Sequence, residues 1–336
     1  MEESAFKLQF IERLQLAKQM MLVSNKASLL FIVQIPNKDN HDLLLPITRE
    51  SISHVICFVE IGNASLVDFI IEQSRGIIDR IILDIDNKRI NSTEIINKVR
   101  AQKDIPVLEY SDFKMWGDSA VDFIFQNEQE HKQLKVLLLG HSYLTTHILL
   151  NLIRHNVSVY MFEEDYLKEY PLDNEVKISI DTDKVRLIRD EKHFHVIIGS
   201  NVKHEYDCTR LDMISSSSIY DIGLQNFSCD YINSMIDQEV KVYRFDNRAA
   251  VSSVVLNLME TEELINNVMG TVMIGNYRLI SGGVMGKKGD IVVDNIQSPY
   301  SILGIADGHG AFIHEYDYTD IQRASIIQIK NLIDLK

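Results

Sequence analysis

KVLLLGHSYLTTHILLNLIRHNVSVYMFEED, residues 135–165, is the stretch that decides the fold of this 336-residue chain. A short run of buried-strand character (Lys135–Leu139) leads into Gly140, a helical segment follows, and a second strand-like run ends at Glu163. This order predicts one βαβ unit with an acidic residue about twenty positions beyond the first glycine. Such a unit suits a dinucleotide, whose pyrophosphate lies at the helix N-terminus while the carboxylate binds the adenosine ribose.

The glycine fingerprint of this unit is incomplete. Gly140 is expected to make the tight turn after the strand, but Ser142 and Thr145 stand where the second and third glycines of the fingerprint belong. The Ser142 hydroxyl and amide could still face a phosphate oxygen, together with the first helical residues, Tyr143 and Leu144. The alternative, a βαβ unit that binds no nucleotide, stays open at this point.

The bulk properties of the chain restrict its class. A hydrophobic content of 46% predicts a substantial core, and the length predicts two domains or one large one. No apolar run approaches the roughly 18 residues of a membrane span. The three widely spaced cysteines favour reduced packing residues in a cytoplasmic protein. A net charge of −14 with scattered basic residues argues against binding to nucleic acid or to an anionic membrane.

The first part of the chain alternates helix and strand signals, which predicts a mostly parallel sheet covered by helices. We therefore expect an α/β domain over residues 1–130, the candidate substrate domain. The predicted strands lie near 29–35, 54–60, 80–84 and 106–109, and the predicted helices near 3–24, 65–74, 92–100 and 118–133. Asp118 or Ser119 is the expected cap of the last helix.

The second predicted domain covers residues 131–268 and is Rossmann-like. Because ligands of open α/β sheets bind beyond the carboxyl ends of the strands, residues at those ends are candidates for cofactor contacts. Gly199, Ser200 and Asn201 follow one predicted strand, Gly223 follows the next, and Asp246-Asn247-Arg248 follow a third. Together with Gly140 and Glu163 they predict a nucleotide site, although strand-end glycines also serve as ordinary turns.

Composition changes in residues 269–336, which hold most of the chain's 15 glycines. Gly275-Asn276 predicts a hairpin turn, further short strands are expected near 290–294 and 302–305, and Thr319 or Asp320 can cap a final helix. We expect a small glycine-rich β element whose residues 282–310 line the active-site cleft. A structural appendage or a homodimer contact is the alternative role.

The order of elements resembles the two-domain Rossmann-fold NAD(P)-dependent dehydrogenases. More narrowly, it is similar to the group that contains the dehydrogenase-like component of dipicolinate synthase and the dehydrogenase of pyrrolysine synthesis. The resemblance covers about residues 118–260 and depends on the stretches 135–140, 195–201 and 217–224 together with Glu163. It implies an α/β fold of two domains and an NAD cofactor, with hydride transfer to or from a small amino-acid, imine or carboxylate metabolite.

Other protein classes match parts of the chain less well. DGHG at residues 307–310 is similar to a metal-binding loop of metal-dependent phosphatases, but it lacks their further aspartate motifs, and no metal site is predicted. A Rossmann-fold adenylating enzyme would want Arg and Lys near the phosphates, and a methyltransferase that uses S-adenosylmethionine fits the long first domain poorly. A non-catalytic nucleotide-binding or scaffolding protein remains the main alternative.

The candidate catalytic residues are few. A carboxylate substrate is best bound by the fork of an arginine, for which Arg248 is the leading candidate and Lys287 and Lys288 are rivals. His309 is the candidate general acid, because it is held between Gly308 and Gly310, which give it mobility, and lies beside Asp307 as a partner. Glu163 and the acidic residues that follow it predict that NAD binds better than NADP.

Overall fold

The computed structural model describes residues 3–34, 47–51, 53–88, 92–128, 134–162, 185–188, 191–201, 205–223, 225–245 and 248–333. The chain divides into two compact units, Met1–Ser252 and Ser253–Lys336. The first unit contains two sheets, and the second contains one.

The first sheet of unit 1 has the order β2-β3-β1-β4-β5. Its strands are β1 (Ala27–Gln34), β2 (Ile47–Glu50), β3 (His54–Ile61), β4 (Arg80–Asp84) and β5 (Val107–Tyr110). All neighbours are parallel except the edge pair β2–β3. Helices α1 (Glu3–Ser24), α2 (Leu66–Ser74) and α3 (Ser92–Ala101) contribute to one apolar core with β1, β3 and β4. That burial explains why these periodic segments form stable helices.

The second sheet is wholly parallel, with the order β11-β10-β9-β6-β7-β8. Its strands are β6 (Lys135–Leu139), β7 (Ser158–Met161), β8 (Val185–Leu187), β9 (His193–Gly199), β10 (Ser215–Asp221) and β11 (Lys241–Arg244). Counted from β6, this is the strand order of the dinucleotide-binding fold, in which the chain reverses its direction of travel across the sheet between the first and fourth strands. The Rossmann-like prediction is confirmed.

Helix α4 (Asp112–Asn127) connects the two sheets and packs against helix α5 (Tyr143–Arg154). The predicted start at Asp118 or Ser119 is wrong, because Ser111 caps α4 by accepting a hydrogen bond from the Lys114 amide at 3.3 Å. A further α-helix in the described residues of this part is α6 (Cys229–Asp237). Cys229 is exposed at its first residue, so the prediction that every cysteine is a packing residue is wrong there.

Unit 2 is built around a mixed sheet with the order β12-β13-β14-β15. Its strands are β12 (Gly270–Ile274), β13 (Tyr277–Ser281), β14 (Ile291–Val293) and β15 (Ile302–Ile305), and its last helix is α8 (Asp320–Ile333). Helix α7 (Arg248–Glu263) begins in unit 1 and continues as a π-helical turn over Leu264–Val268. The predicted hairpin at Gly275-Asn276 is present between β12 and β13.

The fold class is therefore confirmed as α/β, with two α/β sheets followed by a small glycine-rich β element. The predicted domain boundaries at 130/131 and 268/269 remain predictions. No helix in the described ranges has the length and apolar character needed to cross a bilayer.

The contact between α4 and α5 gives a first testable prediction. A Cβ atom on Gly117 would lie only 2.7 Å from the His147 Cβ, so the two helices meet at a point where no side chain fits. Gly→Ala inside a helix ordinarily stabilises by about 1 kcal/mol, whereas overpacking costs about 1–3 kcal/mol. We expect the overpacking to dominate, so Gly117→Ala should lower the free energy of unfolding measured in denaturant.

The matched control is Asp122→Ala, an exposed position of the same helix, which should change the free energy of unfolding by less than about 0.5 kcal/mol. A Gly117→Ala variant that is more stable than the parent chain would show that α4 and α5 are not in close contact.

Candidate functional site

The first candidate site lies where β6 and β9 end side by side in the second sheet. Leu139 pairs with Gly199, and Gly140 leaves β6 with φ +123°, a conformation that side chains rarely adopt. The chain then enters α5, whose N-terminus carries the positive end of the helix dipole. In open α/β sheets this switch point is where ligands bind.

The N-terminus of α5 is closed by a reciprocal capping box. The Ser142 hydroxyl accepts a hydrogen bond from the Thr145 amide at 3.2 Å, and the Thr145 hydroxyl accepts one from the Ser142 amide at 3.0 Å. Thr145 replaces the third fingerprint glycine and is fully buried. Its hydroxyl thus has a structural role that a glycine could not fill.

Side-chain oxygens fill the space beside Gly140. A Cβ atom there would lie 2.8 Å from Asn201 Oδ1, 2.9 Å from Ser200 Oγ and 3.0 Å from Thr145 Oγ1. Asn201 Oδ1 accepts a hydrogen bond from the His141 amide at 3.1 Å, and the Thr145 and Ser200 hydroxyls are 2.8 Å apart. We call these residues, with Ser142, the switch-point network.

The residues at the α5 N-terminus fit a dinucleotide, but several of their backbone amides are already hydrogen-bonded. The amides of His141, Ser142 and Thr145 are hydrogen-bonded within the switch-point network. A phosphate would therefore approach the first turn of α5 beside this network, where the helix dipole favours an anion. Glu163, the predicted ribose ligand, lies outside the described residues.

The other strand-end glycines are explained by close packing. A Cβ atom on Gly223 would lie 1.9 Å from the Asn201 carbonyl oxygen, and one on Gly199 would lie 2.6 Å from the Asn226 Cβ. Asn226 accepts a hydrogen bond from the Asn201 amide at 2.8 Å and donates to Asp221 Oδ1 at 2.8 Å. The roles of Gly199 and Gly223 in cofactor binding remain predictions.

A second candidate site, which the sequence analysis missed, is a buried ion cluster in the first sheet. Lys88 Nζ lies 2.7 Å from Asp84 Oδ2 and 2.5 Å from Asp112 Oδ2, and the Lys88 and Asp84 side chains are 2% and 0% exposed. Asp84 ends β4, and Gln34 ends the neighbouring β1. The one sequence signal was DIDNK at residues 84–88, three charged residues at the end of a buried strand and directly after it.

The electrostatics of this cluster keep the lysine charged. Burial alone lowers the pKa of Lys88, but attraction to Asp112 and Asp84 outweighs it, so the pKa of Lys88 is raised. Burial raises the pKa of Asp84 to about 6 against the opposing effect of Lys88, and the nearby Asp112 carboxylate adds to the rise. Burial, followed by repulsion from Asp112, raises the pKa of Tyr110, whose hydroxyl donates to Asp112 Oδ1 at 3.1 Å.

Gln34 adds an unsatisfied acceptor to the cluster. The side-chain nitrogen Nε2 of Gln34 donates hydrogen bonds to the backbone carbonyl oxygens of Asp84 at 3.0 Å and Asp86 at 3.1 Å. Its Oε1 atom is buried and has no hydrogen-bond partner in the described parts of the chain. Buried polar atoms are rarely left unpaired, so this oxygen is a candidate acceptor for a bound molecule.

The two candidate sites are linked within unit 1 by Phe113. Its ring stacks on that of Tyr143 with the centroids 6.0 Å apart, and Lys88 Nζ lies 4.9 Å from the Phe113 centroid. The ion cluster therefore lies near the first turn of α5.

The remaining predicted catalytic residues belong to other segments. Arg248 is the first residue of α7, and its side chain lies outside the described part of the chain. Asp307, His309 and Lys287 lie in unit 2. His309 is exposed, and its amide donates to Asp307 Oδ1 at 2.7 Å, which is the largest cause of the lowered pKa of Asp307. Lys287 is exposed as well. Their catalytic roles remain predictions.

Comparisons with known proteins bear on the fold alone. No family model and no curated protein sequence matches the chain. Among solved structures, it is similar to dipicolinate synthase from Bacillus subtilis, with 12% identity, coverage of 70% of this chain and 79% of the other, and a TM-score of 0.33. It is also similar to L-tryptophan dehydrogenase from Nostoc punctiforme, with 9% identity, coverage of 70% and 74%, and a TM-score of 0.36.

A protein of another class, aspartate transcarbamoylase from Trypanosoma cruzi, is matched as well. The identity is 10%, the coverage is 70% of this chain and 85% of the other, and the TM-score is 0.32. Identities and TM-scores at this level are too low for the activity of any of these enzymes to be transferred to the chain.

The ion cluster gives a stability prediction. Lys88→Met leaves two buried carboxylates without their cation and should lower the free energy of unfolding by about 3–5 kcal/mol near pH 8. The loss should shrink toward about pH 5, because the Asp84 carboxyl, whose pKa is raised in the folded chain, binds a proton more tightly in the folded chain than in the unfolded chain. Denaturant unfolding at both pH values measures this. Adding Asp84→Asn should restore part of the loss.

The control is Lys114→Met, which removes an exposed ion pair with Asp118 and should cost at most about 1 kcal/mol. Equal losses for Lys88→Met and Lys114→Met would contradict the burial of the cluster.

Proposed function

We propose that the chain is an NAD-linked oxidoreductase that acts on a small amino-acid, imine or carboxylate metabolite. The observation that carries this proposal is the β8-β7-β6-β9-β10-β11 strand order with Gly140 and the α5 N-terminus at its switch point. A dinucleotide in such a fold lies across the switch point. The nicotinamide supplies hydride transfer when bound, and the chain supplies binding, orientation and proton transfer.

We place the substrate side of the reaction at the Asp84–Lys88–Asp112 cluster. Pairs of titratable groups with displaced pKa values, located at strand ends of an α/β sheet, are candidates for acid–base chemistry. Lys88 stays protonated and holds the two carboxylates in place, whereas Asp84, with its pKa of about 6, can exchange a proton near neutral pH. The unpaired Gln34 oxygen can accept a hydrogen bond from a substrate N–H group.

The residues selected from the sequence remain part of the proposal. His309 with Asp307 is the alternative proton donor, and Arg248, with Lys287 as its rival, is the candidate carboxylate ligand. A screen of amino acids, imines and hydroxy acids for consumption or formation of reduced cofactor tests the substrate class. His309→Ala and Asp84→Asn variants in that screen separate the two candidate proton donors.

A second candidate function is a non-catalytic nucleotide-binding or scaffolding protein. The observation that favours it is the switch-point network itself. In this network, side-chain oxygens accept hydrogen bonds from the backbone amides that commonly face a pyrophosphate. Tight NAD binding without turnover of any substrate in the screen would favour this function. A cytoplasmic location, a biosynthetic pathway and a homodimeric assembly are further parts of the proposal, and sedimentation velocity tests the last.

Cofactor binding is the direct test of the proposed function. Titration calorimetry should detect NAD binding to the parent chain. Asn201→Asp keeps the acceptor for the His141 amide but adds a negative charge beside the α5 N-terminus, so NAD should bind at least about 10-fold more weakly. Gly140→Val, which places a branched side chain at φ +123°, should abolish binding.

Asn276→Asp is the matched control, because it makes the same change on the exposed hairpin of unit 2 and should leave NAD affinity unchanged. No NAD binding by the parent chain, or equal affinities for the Asn201→Asp and parent chains, would overturn the placement of the cofactor.

The preference for NAD over NADP depends on the predicted role of Glu163. A carboxylate at the ribose position accepts hydrogen bonds from the ribose hydroxyls and repels a 2′-phosphate. Glu163→Arg should therefore weaken NAD binding and narrow the difference between the two cofactors. Calorimetric affinities for both cofactors measure this, and a parent chain that binds NADP as tightly as NAD would contradict the preference.

A further inference from the structure

One face of the sheet of unit 2 packs against the last helix of the chain. Strands β13 and β14 are parallel, with Leu279 opposite Ile291 and Ile280 opposite Val292. Leu279 and Ile291 pack in a core cluster with Ile329 of α8. Because side chains alternate along a strand, Ile280 and Val292 point to the opposite face.

A cavity of about 510 Å³ lies on that opposite face. Ile280 and Val292 contribute to its lining, and the glycine-rich loop 282–286 and the segment 310–312 complete much of it. The loop runs so close to the sheet that a Cβ atom on Gly286 would lie 2.5 Å from Ile280 Cδ1. We call this space the β13–β14 cavity, and its volume is typical of small-molecule sites, about 300–1,000 Å³.

The β13–β14 cavity is apolar except for two side chains, Ser281 and Asp294. Among the described residues that line it, Asp294 is the one ionisable group, and none is a lysine, arginine or histidine. Asp294 Oδ1 accepts hydrogen bonds from the amides of Tyr300 at 3.2 Å and Ser301 at 3.0 Å. Asp294 Oδ2 and Ser281 Oγ are buried and have no hydrogen-bond partner within the described ranges.

Such unpaired atoms are costly. A buried acceptor without a donor loses about 1–3 kcal/mol, and a charged one loses more. The described chain supplies no cation at the cavity to balance the Asp294 carboxylate. A bound molecule with a positively charged N–H donor would satisfy this carboxylate best, because charge-assisted hydrogen bonds are the stronger ones.

We propose that the β13–β14 cavity binds a small molecule with an apolar body and a protonated amine. The amine bonds Asp294, whose carboxylate turns toward the cavity to present Oδ2. The apolar body lies against Met285, Leu303 and Phe312, which are 66%, 55% and 54% exposed in the free chain. The proposal concerns unit 2 alone and is independent of the proposed oxidoreductase function.

Methyl NMR of the full chain tests the proposal with phenethylamine as the probe. The chain is labelled with 13C-methyl methionine, and the Met285 signal among the 11 methionines is assigned with a Met285→Leu variant. We expect phenethylamine to shift the Met285 signal in a saturable way. Phenethyl alcohol and hydrocinnamate, which keep the ring but lack the cation, should bind at least about 10-fold more weakly.

Two variants locate the charge. Asp294→Asn keeps one acceptor for the Tyr300 and Ser301 amides and should weaken phenethylamine binding at least about 10-fold. Leu303→Lys changes an exposed lining residue, leaves Asp294 intact, and should weaken binding by placing a cation beside the cavity. Asp317→Asn removes an exposed carboxylate of the same unit and should change nothing.

Three outcomes overturn the proposal. They are the absence of a saturable Met285 shift with phenethylamine, equal affinity for the amine and the alcohol, and unchanged amine binding by Asp294→Asn. A Met285 signal that changes on dilution of the chain without any probe would assign this face to a contact between two copies instead, and would overturn it as well.

Discussion

The first half of the chain depends on the two ion pairs of Lys88. Its ammonium group lies between two aspartates and is almost unexposed. Asp84 belongs to the end of β4 and Asp112 to the start of α4, so the lysine joins a strand of one sheet to the helix that leads to the next. A lone buried charge in this position would be prohibitive, and the surrounding hydrogen bonds from Tyr110 and Gln34 make the arrangement tolerable.

Helix α4 carries this anchoring onward into the second sheet. Asp86 accepts a hydrogen bond from the Phe113 amide at the start of the helix, and Glu128, just past its end, accepts hydrogen bonds from Ser218 and Tyr220 of β10. Between these ends the rings of Trp116 and Phe123 contact Phe245. Both ends of α4 are thus fixed by polar contacts and its middle by aromatic ones.

Periodicity predicted the architecture well, because each sheet is built from segments whose apolar pattern is local. The strand end at Gly140 and the helix after it were visible for the same reason. The ion cluster could not be predicted from the sequence, because Lys88 and Asp112 are 24 positions apart and become neighbours only when β4 and β5 pair. The predicted start of α4 failed for a related reason, because its first turn is stabilised by the distant Asp86. Thr145 stands where the fingerprint has a glycine because its hydroxyl forms a capping box with Ser142, which only the structure shows.

The close approach of α4 to α5 at Gly117 and His147 has a mechanical consequence. Two helices in backbone contact cannot slide past each other without first separating, because ridges of neighbouring side chains would collide. Shear between the two helices along this seam is therefore blocked. A bend at the short joint between β5 and α4, where Ser111 alone separates Tyr110 from Asp112, leaves the seam intact.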